Sequence, residues 1–153
     1  MHIRVYVIDK KGKDSLYAPL LEHYIKIAKP FAKVEIVEIF DKRIAKAQDI
    51  SPEAARKSYT EALEKYLHKG FDIALHPEGK TTDSFGFANL LKDRSTVNFY
   101  IGGAYGFEEA FLRQCDLAVS FGKITLSHKL VKAVLLEQIY RGLSINAGHP
   151  YHK

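Results

Sequence analysis

The 153-residue sequence predicts an α/β fold, an open and mostly parallel sheet with helices on both faces. Three observations predict it. Short runs rich in β-branched and aromatic residues alternate with longer runs of helical periodicity from end to end. Gly, Pro, Ser and Asp stand between the runs, where turns and helix caps require them. No repeat, low-complexity tract or linker interrupts the alternation, so one domain over residues 1–153 is expected, organised by one core at 46% hydrophobic content.

Residues 2–8 read as the first strand. Residues 14–29 follow as a helix, with Tyr17, Leu20, Leu21, Tyr24 and Ala28 on one face and Pro30 as the stop. A second strand covers 34–39. The segment 41–50 is polar and aperiodic and reads as a mobile loop. Ser51-Pro52-Glu53 then supplies the cap, first-turn proline and acidic residue of a helix start, and that helix runs to about His68, before Gly70. Residues 71–75 form a third strand, Asp83 caps a helix reaching Lys92, and 96–101 is a fourth strand. The glycine turn Gly102-Gly103-Ala104-Tyr105-Gly106 follows directly. A short helix over 107–115, a fifth strand over 117–121 and a long helix over 129–145, apolar on more than one side, complete the chain.

Composition narrows the function. No run approaches the roughly 20 apolar residues of a membrane span, and Met1 to Val5 open a strand instead of a signal peptide, so a soluble cytoplasmic protein is expected. Cys115 has no internal disulfide partner and reads as a small buried side chain. The formal charge is +5. Lys123, Lys129, Lys132, Arg141 and Lys153 face only Glu137 in the last part of the chain, which suggests a positive carboxyl-terminal patch suited to phosphate backbones.

In an open α/β sheet, ligands sit beyond the carboxyl ends of the strands. The loop 9–13 after the first strand lacks a G-x-G-x-x-G fingerprint, which disfavours a dinucleotide fold, and no G-x-x-x-x-G-K-[ST] loop is present. Three later loops could instead converge: residues 75–80, the Gly102 to Gly106 turn, and residues 122–128. Backbone groups from three loops suit an adenosine without phosphates to neutralise. No C-x-x-C or H-x-x-x-H spacing calls for a metal.

Four segments carry a specific resemblance: Tyr100-Ile101-Gly102-Gly103-Ala104-Tyr105-Gly106, Ser127-His128-Lys129-Leu130-Val131, Leu136-Glu137-Gln138-Ile139-Tyr140-Arg141, and the ending His149-Pro150-Tyr151-His152-Lys153. In order and spacing the chain resembles the ribosomal RNA large-subunit methyltransferase H group of the SPOUT superfamily. The resemblance implies a carboxyl-terminal trefoil knot, a homodimer, S-adenosyl-L-methionine as cofactor, and methylation of N3 of a pseudouridine in a stem-loop of 23S ribosomal RNA on the assembled ribosome. Carried over by position, it assigns cofactor contacts to Leu75, Gly102, Gly103, Gly122, Lys123, Ile124, Thr125, Leu126 and Ser127. Ser127 departs from the proline common in relatives, and Ala104-Tyr105 replaces other pairs in the glycine turn.

Methyl transfer to nitrogen requires positioning and loss of the N3 proton, without a metal. His128, Tyr151 and His152 are the candidates for handling the proton or orienting the base, with Arg141 placed for phosphate or a developing negative oxygen. Lys129, Arg141, His149 and Lys153 are the candidate RNA contacts. Other readings stay open at this point: a SPOUT methyltransferase acting on another RNA such as transfer RNA, a non-catalytic ribosome-binding assembly factor, or a small-molecule α/β enzyme.

Overall fold

The computed structural model describes residues 1–12 and 14–153; Lys13, part of the first loop considered above, lies outside the described residues. Five parallel strands form one sheet in the order β2-β1-β4-β3-β5, with β1 His2–Ile8, β2 Lys33–Ile39, β3 Phe71–Thr81, β4 Thr96–Ile101 and β5 Leu117–Ser120. The helices are α1 Ala18–Ala28, α2 Lys42–Ile50, α3 Pro52–Leu63, α4 Ser84–Leu91, α5 Glu109–Gln114 and α6 His128–Asn146.

Side-chain alternation along the strands divides the core into two layers. Ile3, Val5 and Val7 of β1, Val97, Phe99 and Ile101 of β4 and Ile73 of β3 pack with Ala28, Phe87, Leu91 and the apolar residues of α6. On the other face, Tyr6, Ile8, Tyr100 and Ala74 meet Ile44 of α2, Ala55, Tyr59 and Leu63 of α3, and Phe111 of α5. Every strand except the edges is therefore buried twice, which is what parallel pairing demands. The α6 helix packs on α4, α1 and β4 of its own chain, so its apolar breadth is accounted for without a second copy.

Several elements differ from the sequence expectation. Residues 41–50 are not a loop: Asp41 caps α2 by accepting from Ile44 N at 2.8 Å, and Ile44 and Ala47, one turn apart, are buried. Two apolar positions are too few to announce a helix in sequence. The first helix begins at Ala18 instead of residue 14, and Leu20 is 42% exposed while Leu21, Tyr24, Ile25 and Ala28 face the core. The third helix stops at Leu63 and closes in a 3-10 turn over Glu64–Tyr66. The fifth starts at Glu109 because Phe107 is held in the core ahead of it.

The largest difference is β3, which continues to Thr81. It pairs with Val119 of β5 through Leu75 and again through Lys80, so residues 76–79 leave the ladder between two matched segments. Ser120 Oγ donates to the Pro77 carbonyl at 2.9 Å, and a Cβ on Gly79 would stand 2.7 Å from the Ala118 carbonyl carbon. Only a residue without a side chain fits there.

Two outcomes are expected in urea unfolding. Gly79→Ala should lose about 1–3 kcal/mol, because backbone and not a flexible side chain must yield. Asp41→Ala should lose about 1 kcal/mol with the m-value unchanged, as for a removed cap.

Candidate active site

The bulge of β3 and the carboxyl ends of β4 and β5 open on a cleft of about 530 Å³. Leu75, Gly102, Gly103, Gly122, Ile124, Thr125, Leu126, Ser127 and His128, all singled out in the sequence, line it together. Lys123 is exposed and does not line it, which sets it apart from its neighbours in the same run. The sequence analysis missed Phe107, Val119, Phe121 and Val131, apolar residues of the elements flanking the loops. Among the described residues no Lys, Arg, Asp or Glu lines it. A neutral, largely apolar pocket of this size suits a nucleoside-sized ligand held by backbone groups and offers nothing to pair with a triphosphate.

Local chemistry explains how the loops hold their shape. The turn after β4 is closed by Gly106 N donating to Gly103 O at 3.1 Å. A Cβ on Gly103 would stand 2.5 Å from the Tyr59 ring, which is fully buried beneath it, so this glycine is required by the protein's own packing as much as by any ligand. Downstream, Ser127 caps α6 by accepting from Leu130 N at 3.3 Å, which makes His128 the first residue of that helix.

Behind His128 lies a charged group that the sequence analysis did not single out. Asp9, at the end of β1, has Oδ2 2.9 Å from Lys132 Nζ and Oδ1 3.2 Å from His128 Nε2. Burial raises the Asp9 carboxyl, but the hydrogen bond and charge of Lys132, with His128 adding, outweigh it and hold the group below its ordinary value. The available signals were a carboxylate ending an apolar strand and a lysine inside the apolar run Leu130-Val131-Lys132-Ala133-Val134.

The remaining candidates gather elsewhere in the chain. Arg141 donates to Glu137 Oε1 from Nε at 3.0 Å and lies 3.1 Å from His152 Nδ1; Tyr151 OH donates to the same Glu137 oxygen at 3.1 Å. The Arg141 guanidinium also stands 4.8 Å from the Tyr151 ring centroid, and the His152 ring meets Phe85 edge-on. The tail thus folds back on α6, and Arg141, Tyr151 and His152 form one cluster that is not part of the cleft lining. Burial and its bonds to Tyr24 and Glu137 push the Tyr151 phenol up, so it stays protonated. His149 is exposed beside Phe31, and Lys153 is exposed at the end.

The expected positive patch is largely neutralised. Lys129 pairs with Asp14 at 2.9 Å, Lys132 is 5% exposed against Asp9, and Arg141 is taken by Glu137. Among the described residues only Lys123 and Lys153 of that set form no ion pair. The Cys115 thiol is pushed up to about 12, by burial first and then by Asp72 and Asp116, as an inert side chain should be. No group of metal-binding side chains occurs among the described residues, and no helix among them is long and apolar enough to cross a membrane.

Comparison with known proteins agrees with this geometry. Residues 1–152 match the family model described as "Predicted SPOUT methyltransferase". The chain is 73% identical over 153 residues to the ribosomal RNA large subunit methyltransferase H of Sulfurovum sp. (strain NBC37-1), and 51% identical over 155 aligned positions to that of Wolinella succinogenes, with 100% of both chains covered in each case. Among solved structures it resembles a tRNA (m1G37) methyltransferase from Aquifex aeolicus, with TM-score 0.54 and 18% identity over 99% of this chain and 74% of the other. A probable methylase family protein from Haemophilus influenzae Rd KW20 gives TM-score 0.57 at 10% identity, over 99% and 70%. These two likenesses concern the fold. The cleft, the glycine turn and full-length identity to named relatives therefore lead to one conclusion: the chain belongs to the SPOUT methyltransferases, within the ribosomal RNA large subunit methyltransferase H family.

Proposed function

We propose that this enzyme, acting in the cytoplasm as a homodimer of one-domain chains, methylates N3 of a pseudouridine in a stem-loop of 23S ribosomal RNA on the assembled ribosome. The neutral cleft at the β3 bulge and the ends of β4 and β5 carries the reading, because it fits a nucleoside cofactor and lies in a chain of this family. When bound, S-adenosyl-L-methionine supplies a sulfonium methyl: the C–N bond forms as the C–S bond breaks, and N3 loses its proton.

The chain's own part is to bind, orient and accept a proton. Leu75, Gly102, Gly103, Gly122 and the run Ile124, Thr125, Leu126 and Ser127 hold the cofactor through backbone groups and apolar contact, and Lys123 stands in the same run without lining the cleft. The knotted path that the resemblance implies belongs to this reading, with segments 76–79 and 118–122 in direct contact beside the cleft. In this reading His128, which lines the cleft, takes the N3 proton.

Ile124 is 83% exposed, and Leu126 and Leu130 are exposed near it, an apolar mouth that a second copy would cover. In that homodimer Arg141, Tyr151 and His152 serve the RNA face of the cleft in the second copy. Lys123, His149 and Lys153 are exposed for phosphate contact, and the Lys129 to Asp14 pair, half open to water, is weak enough to exchange for one.

The deciding experiment incubates the chain with labelled S-adenosyl-L-methionine and ribosomes lacking this methyl mark, then locates the label by nuclease digestion and mass spectrometry. Label on N3 of a 23S pseudouridine is expected; transfer to transfer RNA alone, or none despite measurable cofactor binding, would replace the proposed substrate. His152→Ala should lower kcat about 10-fold with cofactor affinity unchanged, because the residue orients the RNA and lies outside the cofactor cleft. Full activity in that variant removes His152 from the site.

A further inference from the structure

We propose that Asp9 and Lys132 are positioning residues for the reaction: together they hold an ionised carboxylate against His128 Nε2 and leave Nδ1 as the ring's open, proton-accepting nitrogen. This rests on the methyl-transfer reading of the cleft. Asp9 is 9% exposed and Lys132 5%, and neither lines the cleft, whereas His128 does. The pair therefore sits behind the histidine.

Each contact has one chemical sense. Asp9 Oδ1 accepts from Lys10 N at 2.9 Å, and Oδ2 accepts from Lys132 Nζ at 2.9 Å, so the carboxylate is anchored at both oxygens and cannot turn away. Glu38 Oε2 lies 3.9 Å from Lys132 Nζ, a second acid beside the lysine. At 3.2 Å from Asp9 Oδ1, in charge contact with the carboxylate, a lone pair on His128 Nε2 would be repelled, which favours the tautomer with the proton on Nε2. Neither ring nitrogen of His128 forms an aligned hydrogen bond among the described residues, so the Asp9 carboxylate beside Nε2 is the contact that sets the tautomer. His128 and Lys132 are four residues apart on α6 and share one helix face, while Asp9 extends β1 beside the turn that follows β4. Residues from two ends of the chain thus meet at one rim.

A buried ion pair is weak evidence for stability, since apolar residues of the same volume usually serve the fold as well. What apolar residues cannot do is set a tautomer. When N3 loses its proton to Nδ1, the ring becomes an imidazolium facing a fixed carboxylate, and the positive charge is met where it forms.

Asp9→Asn tests this. Lys132 Nζ and Lys10 N both donate only and compete for the one amide oxygen; the charged Lys132 makes the stronger bond and takes it, which turns the amide NH₂ toward His128 Nε2 at the cost of the Lys10 bond, and the neutral ring should flip to the Nδ1–H tautomer. Long-range ¹H–¹⁵N spectra of the ¹⁵N-histidine-labelled chain, free of ligand, read this directly, with His128→Asn identifying the signals. The expected results are Nε2–H in the native chain, Nδ1–H in Asp9→Asn, and a fall in kcat of about 100-fold with cofactor affinity within about two-fold. A native Nδ1–H tautomer overturns the proposal even if Asp9→Asn does not fold. An unflipped ring in the folded variant, or a flipped ring with native kcat, overturns it as well. The native chain's transfer to ribosomes is read in the same assay, which separates a loss confined to the variant from a wrong substrate.

Discussion

Val119 is paired with β3 twice, through Leu75 and through Lys80, and the site depends on that double pairing. Between the two matched segments residues 76–79 must leave the ladder, which carries His76 and Pro77 to the cleft while Leu75 stays in the sheet. Gly79 then returns the chain within van der Waals reach of the β5 backbone, and Ser120 Oγ binds both the Pro77 carbonyl and Gly122 N, at 2.9 and 3.0 Å. The exits of β3 and β5 are thereby locked to each other. Segment 122–127, Lys123 apart, then lines the cleft together with the glycine turn that follows β4.

The second constraint is electrostatic. A chain with net charge +5 has placed its carboxyl-terminal cations in pairs: one buried with Asp9, one exposed with Asp14, one bound to Glu137. The cleft itself is left neutral. This arrangement separates the neutral cleft from the paired cations of α6 that follow it in sequence. Burial makes the Asp9 to Lys132 pair costly to lose on one side, while the Lys129 to Asp14 pair remains open to exchange.

Legibility followed burial pattern. The first and fourth strands were readable to their end residues, because continuous β-branched and aromatic runs have no helical alternative in a chain of this length. The long final helix was readable within a residue at each end for the converse reason. The short helix over Lys42–Ile50 was not, because its stability comes from one cap and two buried side chains contacting α3 and the sheet, and neither contact leaves a period. The cleft residues could be listed from loop positions and resemblance, except for those contributed by strand and helix flanks, which carry no loop signal.

By itself the sequence determined the alternation of strands and helices, the glycine turn after β4, the absence of phosphate-binding and metal-ligand spacing, and, through four motifs, the family. These are local or are read from residues close together in the chain. Only the tertiary structure decided that β3 runs on past its bulge, that the tail cluster lies outside its own cleft lining, and that Asp9 meets Lys132 across 123 positions of sequence. Pairings at such separations are set by sheet order and by the packing of α6 on α1, α4 and β4, and neither leaves a trace in the spacing of residues.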